Sequence, residues 1–264
     1  MSQISILGCG WLGLPLAKKL LADGYSVNGS TTSPEKLQML SESGIRAFII
    51  ELEATPLQTI IDFLAKSEIL IIAIPPKTKQ EIGMPYAEKI RVLIPQITAA
   101  GIRKVIFISS TSVYADDNSV VTESTIPRPA TPGGNQILEA ESLLVQNPQF
   151  KTAIIRFGGL LGSARHPIYH LAGRTELENP DAPVNLIHQN DCIGIILSVI
   201  KKDAWQIING VHPSHPTRKE YYTARADALG LTPPKFAANV PSVGKTVVST
   251  KVGPVLRYNF TTAI

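Results

Sequence analysis

Cysteine is scarce in this chain: two among 264 residues, Cys9 and Cys192. One sits inside a glycine-rich turn and the other opens a late helical segment, which excludes a disulfide framework and a cysteine metal cluster. Apolar runs are short. The longest, residues 69–74 and 193–200, fall well below the length that crosses a bilayer. An apolar strand beginning within a few residues of Met1 leaves no room for a secretory leader, so the expected location is the cytoplasm. Neither sign of charge dominates, with 25 Lys and Arg against 21 Asp and Glu, a net charge of +4 and a pI near 9.0. No basic run exceeds Lys18-Lys19 or Lys201-Lys202, which excludes a nucleic-acid footprint. The five histidines give no metal either: Pro167 lies between His166 and His170, and His212 and His215 are each followed by proline, spacings unlike those of zinc sites. What remains is 44% hydrophobic and 17% charged, ample for a sizeable core in one α/β domain or in a large domain carrying a small one.

The informative stretch is at the start. Ile4, Ile6 and Leu7 form an apolar strand that runs straight into Gly8-Cys9-Gly10-Trp11-Leu12-Gly13. From Leu12 the apolar residues recur at helical spacing through Leu16 and Leu20 until Gly24 stops the helix, and residues 25–29 read as a second strand. A G-x-G-x-x-G between a strand and a helix is the dinucleotide turn of a βαβ unit. Gly8 permits the bend, Gly10 lets a pyrophosphate approach the backbone, and Gly13 lets the helix lie close on the strand. The helix N-terminus then offers free N–H groups and positive dipole to the phosphates.

About 20 residues further on, an NAD-selective site carries an Asp or Glu for the ribose 2′-hydroxyl. Here Thr31, Thr32 and Ser33 stand instead. Without a carboxylate there is no repulsion of a 2′-phosphate, and hydroxyls can hydrogen-bond one, so NADP is preferred; NAD stays open, because the same residues suit an ordinary turn. Ser33 followed by Pro34 predicts an N-cap and a helix to about residue 43.

Strand and helix then alternate: strands at 45–50 and 69–74, helices at 57–64 and 86–100, and a strand at 104–108. Pro95 is expected to kink or break the second of those helices. This rhythm predicts a doubly wound parallel sheet with its carboxyl-end loops on one edge. The glycine turn, the Thr31 loop, Leu52, Ile74-Pro75-Pro76 and the loop opening at Ser109 should therefore face one crevice and hold the cofactor.

Ile108-Ser109-Ser110-Thr111-Ser112-Val113-Tyr114-Ala115-Asp116 resembles the serine region of the extended short-chain dehydrogenases/reductases, the NAD-dependent epimerase/dehydratase superfamily. Later segments agree in order: Glu123 with Pro127 and Pro129, Arg156-Phe157-Gly158-Gly159-Leu160-Leu161-Gly162, Asn185-Leu186-Ile187-His188-Gln189-Asn190-Asp191, and Ile207-Ile208-Asn209-Gly210. The resemblance implies a Rossmann-type sheet and a nicotinamide cofactor. It also implies a catalytic role for Ser110, with Thr111 and Ser112 near the substrate and Phe157, Gly158 and Gly159 near the nicotinamide. The substrate it implies is a small polar molecule such as a sugar nucleotide, and a homodimer is left open. The chain departs from the family at one place. Where the family has Tyr followed four residues later by Lys, matching through Glu141 places Gly133 and Ile137. A phenol of ordinary pKa near 10 works as an acid or base at neutrality only beside a stabilising cation. Glycine and isoleucine supply neither group, as in the atypical branch of the superfamily.

By the same resemblance the loop-rich stretch after Gly162 covers the substrate, with Arg165 and Tyr169 as contacts and Tyr169 or His166 as alternative proton donors. Asp191 is expected to cap the helix 191–202, and Thr217 a helix to Leu229. The expected organisation is a dinucleotide-binding core at 1–162 and a small, interleaved C-terminal subdomain at 163–264, of which 184–202 returns to the core.

Overall fold

The computed structural model describes residues 2–76, 83–162, 165–238 and 240–264. Its strands are β1 (Gln3–Leu7), β2 (Ser26–Thr31), β3 (Arg46–Ile49), β4 (Ser67–Ile72), β5 (Lys104–Ser110), β6 (Val120–Val121), β7 (Lys151–Phe157), β8 (Gly159–Leu161), β9 (Leu186–His188), β10 (Ile207–Gly210) and β11 (Thr246–Val247). The helices are α1 (Gly13–Ala22), α2 (Lys36–Glu42), α3 (Leu57–Leu64), α4 (Tyr86–Ala99), α5 (Pro132–Val145), α6 (Ile168–Leu171), α7 (Gln189–Lys202) and α8 (Arg218–Ala228). Seven strands form one sheet in the order β10-β7-β5-β4-β1-β2-β3, every pair parallel. The chain leaves β1 toward β2 and β3, then returns to the other side with β4. The switch between β1 and β4 opens a crevice at the carboxyl edge, where ligands of such sheets bind.

The pleat explains the apolar runs. Ile4 pairs with Ile69 and Ile6 with Ile71, and these four side chains share the face covered by α1 and α7 through Leu16, Leu20, Ile195 and Val199. Leu7, Leu70 and Ile72 point to the opposite face, against Phe63, Ile90, Leu93 and Leu144 of α3, α4 and α5. A strand covered on both faces needs apolar residues at successive positions, as residues 69–72 have. A third, smaller cluster of Leu161, Ile168, Val184, Leu186, Tyr221, Tyr222 and Ala226 joins β8, β9, α6 and α8 beyond the carboxyl edge.

Several elements differ from the sequence expectation. The fourth strand ends at Ile72, which frees residues 73–76 to line the crevice. Pro95 does not end α4, which continues to Ala99, and it is exposed. Ser33 does not cap α2, which begins at Lys36 without a side-chain cap; its hydroxyl donates to Glu35 at 2.8 Å instead. Asp191 is not the cap of α7. His188 is, its Nδ1 accepting from Asn190 N at 3.2 Å. Asp191, fully buried, accepts from Tyr258 Oη (2.7 Å), Thr261 N (2.7 Å) and Thr261 Oγ1 (2.9 Å), fastening the C-terminal segment to α7. Thr217 does cap α8, in a reciprocal capping box with Glu220. Beyond residue 202, β10 also returns to the sheet, pairing Ile208 with Ile155.

Candidate functional site: a cleft at the switch point

A cavity of about 670 Å³ opens at the carboxyl edge, over the switch between β1 and β4. Its walls come from the glycine turn (Gly10, Trp11, Leu12), the loop after β4 (Ala73, Ile74, Pro75, Pro76) and the end of β5 (Ile108, Ser109, Ser110, Ser112). The start of α5 (Thr131, Gly133, Gly134, Ile137) and the segment after β7 (Phe157, Gly158, Gly159, Leu160, Arg165) complete it.

The two ends differ in chemistry. At the glycine turn Gly8 has φ +102°, and a Cβ on Gly13 would run into the Gly8 carbonyl. Both glycines shape the turn from beneath. A Cβ at Gly10 would meet nothing within 4 Å, so here the backbone faces open space in the cleft. α1 starts beside it with no capping side chain and no acidic residue in its first turn. Those N–H groups and that dipole are available to an anion.

At the opposite end Gly133 and Ile137 lie one turn apart on α5 and both line the cleft. Ser110 faces them from β5. Its Oγ accepts from Ser112 N at 3.1 Å, so the hydroxyl proton remains free to donate elsewhere. Among the described residues lining the cleft, Arg165 is the one ionisable side chain.

A buried charge network braces this second end from below. Arg156, 2% exposed, donates Nε to Glu141 Oε1 at 3.0 Å and Nη2 to Oε2 at 2.6 Å. Ser109 donates to the same carboxylate at 2.5 Å. Arg156 Nη1 reaches Tyr114 Oη at 2.8 Å, and that hydroxyl donates to Asn209 Oδ1 at 2.9 Å. Burial alone would lower the Arg156 pKa, yet hydrogen bonding and charge from Glu141 leave it raised. Burial raises the Tyr114 pKa, against the pull of Arg156. Neither group is poised to titrate near neutrality. Glu123, also buried, accepts from Asn209 N (3.1 Å), Thr250 N (3.1 Å) and Thr250 Oγ1 (2.5 Å). The pair thus locks β5, α5 and β7, the three elements that carry the serine end.

Several expected site residues lie elsewhere. Thr111 is buried in a single 3₁₀ turn below the cleft, because the chain turns inward immediately after Ser110. Tyr169 lines a separate cavity of about 110 Å³ with His166, His188, Tyr221 and Arg225, since α6 faces α8 across the small C-terminal cluster. His166 is held there: Nδ1 accepts from Ile168 N at 3.0 Å and Nε2 faces Tyr221 Oη at 2.9 Å. Burial, helped by Arg225, lowers its pKa to about 4. Neither His166 nor Tyr169 therefore replaces the missing donor in the cleft. Thr31, Thr32, Ser33 and Leu52 lie at and beyond the ends of β2 and β3, outside these walls. Thr31 Oγ1 accepts from Ser33 N at 3.1 Å, and Thr32 is exposed. Sequence reading missed Ala73, Ile108, Thr131 and Leu160, which carry no motif signal, and the contact between Arg165 and Trp11.

The sequence pattern of a family described as NAD(P)H-binding matches residues 8–184. Protein YeeZ of Escherichia coli (strain K12) is 33% identical, over 98% of this chain and 96% of that protein. The chain belongs to the NAD(P)H-binding family. Among solved structures, a putative NAD-dependent epimerase/dehydratase from Methylobacillus flagellatus superposes with a TM-score of 0.77 at 26% identity, covering 95% of this chain and 90% of that one. UDP-glucuronic acid 4-epimerase from Bacillus cereus in complex with NAD gives 0.82 at 18% identity, covering 99% and 92%; it establishes the shared fold. A nicotinamide dinucleotide fits the residues present in this family member. The open backbone at Gly10 and the uncapped start of α1 suit its pyrophosphate, and the cleft continues to Ser110 and Phe157. No helix among the described residues is long and apolar enough to cross a membrane.

Proposed function

We propose that this chain is an NADP(H)-binding oxidoreductase or epimerase-like enzyme in which the family's phenol and ammonium are missing. Gly8, Gly10, Trp11, Leu12 and Gly13 hold the pyrophosphate, with Ile74, Pro75 and Pro76 along one wall. Phe157, Gly158 and Gly159 border the nicotinamide half. The hydroxyls of Thr31 and Thr32, standing where an NAD-selective site carries its carboxylate, favour a 2′-phosphate, with Ser33 beside them. When bound, the cofactor supplies or accepts hydride at nicotinamide C4. The Ser110 hydroxyl donates a hydrogen bond to the substrate oxygen, polarising the carbonyl, while Ser112 borders the substrate. Gly133 and Ile137 stand where the phenol and ammonium would be, so the proton that accompanies hydride transfer comes from water or from the substrate itself. The solved relatives bound to sugar nucleotides and NAD support a polar, nucleotide-linked substrate. The observation that carries this reading is one continuous cleft joining an open phosphate turn to a serine with a free proton.

A second reading, a catalytically silent NADP-binding module that reports redox state, draws on the scarcity of ionisable groups in the cleft. Deuterium at nicotinamide C4 separates the two. Mass spectrometry of [4-²H]NADPH incubated with a panel of carbonyl compounds, including UDP-sugars, should show the label in a product. Saturating NADPH binding with no transfer across the panel would contradict the enzymatic reading and leave the silent one.

A further inference from the structure

The Arg165 guanidinium lies 5.0 Å from the centroid of the Trp11 ring. Trp11 belongs to the glycine turn, between Gly10 and Leu12, and its carbonyl accepts from Gln189 Nε2 at 2.6 Å. Gly162 packs against the same indole, so closely that a Cβ there would come within 2.6 Å of it. Gly162 and Arg165 are joined by two backbone hydrogen bonds, Gly162 N to Arg165 O at 2.8 Å and Arg165 N to Gly162 O at 3.0 Å. The main chain therefore sets where the guanidinium sits. Among the described residues no carboxylate pairs with Arg165, although it is exposed and lines the cleft. A guanidinium held over an indole by cation–π attraction still carries several N–H donors, whose fork matches two phosphate oxygens.

We propose that Arg165 is a clasp for the pyrophosphate of the dinucleotide, held above the glycine turn by Trp11, and not a residue that reads the substrate. The inference rests on residues 8–13 being the pyrophosphate turn. Backbone N–H groups and the α1 dipole meet the diphosphate from one side, and a single positioned cation closes it from the other. This matters because, among the described residues lining the cleft, no other ionisable group offsets the two phosphate charges.

Calorimetric titration with NADPH, ADP-ribose, AMP and UDP tests it on the full chain, in the wild type, Arg165→Ala and Arg165→Lys. Loss of a charge-assisted, two-pronged contact should weaken NADPH and ADP-ribose by the same factor, roughly 10- to 100-fold in Arg165→Ala. Arg165→Lys should fall between, since it keeps the charge and loses the fork. AMP, which has no pyrophosphate, should bind all three proteins alike. Trp11 reports independently: in a Trp205→Phe background it is the sole tryptophan, and ADP-ribose should change its emission in Arg165 protein and less so in Arg165→Ala. Unchanged ADP-ribose affinity in a folded Arg165→Ala protein overturns the proposal, and so does a loss confined to UDP, which would assign the cation to a substrate diphosphate. If the wild type binds neither NADPH nor ADP-ribose, the reading of the turn itself fails, a result distinct from either of those.

Discussion

Each end of the cleft sets the end of a strand beside the first turn of a helix, β1 beside α1 and β5 beside α5, yet the two are equipped for different tasks. At the β1–α1 end, an open backbone at Gly10, an uncapped helix and a stacked Arg165 meet negative charge. At the α5 end, Gly133 and Ile137 bring no ionisable group at all. On the proposed reading, charge recognition belongs to one end, and the other offers a serine and no ionisable side chain among the described residues.

The largest effect should come from the brace that holds the serine end in place. Arg156→Met leaves the Glu141 carboxylate buried without its partner, which costs about 3–5 kcal/mol; thermal unfolding should show a large drop in Tm, with dinucleotide binding lost as the cleft loosens. If Tm barely changes, Arg156 does not brace the serine end. Next is Gly10→Val. Its side chain enters open space in the free protein, so Tm should stay near the wild-type value, while NADPH affinity falls roughly a hundredfold, about 2.7 kcal/mol. Unaltered affinity by calorimetry would place the pyrophosphate elsewhere.

Restoring the other end is the converse experiment. Gly133→Tyr with Ile137→Lys places a phenol and an ammonium one turn apart on α5. General acid–base catalysis is worth about a hundredfold or more, so any carbonyl reduction by the wild type should rise accordingly in steady-state assays and acquire a pH dependence the wild type lacks. No change would mean that the cleft no longer presents a substrate to that position.

The smallest effect concerns the second cavity, which serves neither end. His166 has its pKa lowered to about 4 from an ordinary 6.5. The unfolded chain therefore takes up a proton between those values that the folded chain refuses. Stability is fully present above pH 6.5, declines as pH falls toward 4, and levels off below. His166→Phe should remove that part of the pH dependence of Tm and leave NADPH affinity within about twofold, since His166 is outside the cleft.

Local patterns carried the glycine turn and the doubly wound parallel sheet, because each rests on residues adjacent in the chain, Gly8 to Gly13 or Ile69 to Ile72 covered on both faces; the order of the strands did not follow from them. Placing Gly133 and Ile137 opposite the family's phenol and ammonium rested on the resemblance through Glu141, and the structure puts both residues along the cleft. What the sequence hid depends on distant meetings. Arg156 and Glu141 are brought together by β7 and α5, Trp11 meets Arg165 only after the chain has laid down six of the sheet's seven strands, and Asp191 abandons capping because residues 258–262 fold back on α7. Tyr169 shows the reverse case, a residue in the expected loop that α6 turns toward α8 and away from the cleft.

The claim that the carboxyl-edge cleft grips a nicotinamide dinucleotide through its glycine turn is tested most directly by calorimetric titration of the wild type and Gly10→Val with NADPH and NADH. The account predicts saturable one-site binding to the wild type, tighter for NADPH, and a collapse of that affinity in the variant. Equal binding by both proteins, or no heat with either dinucleotide, would contradict it.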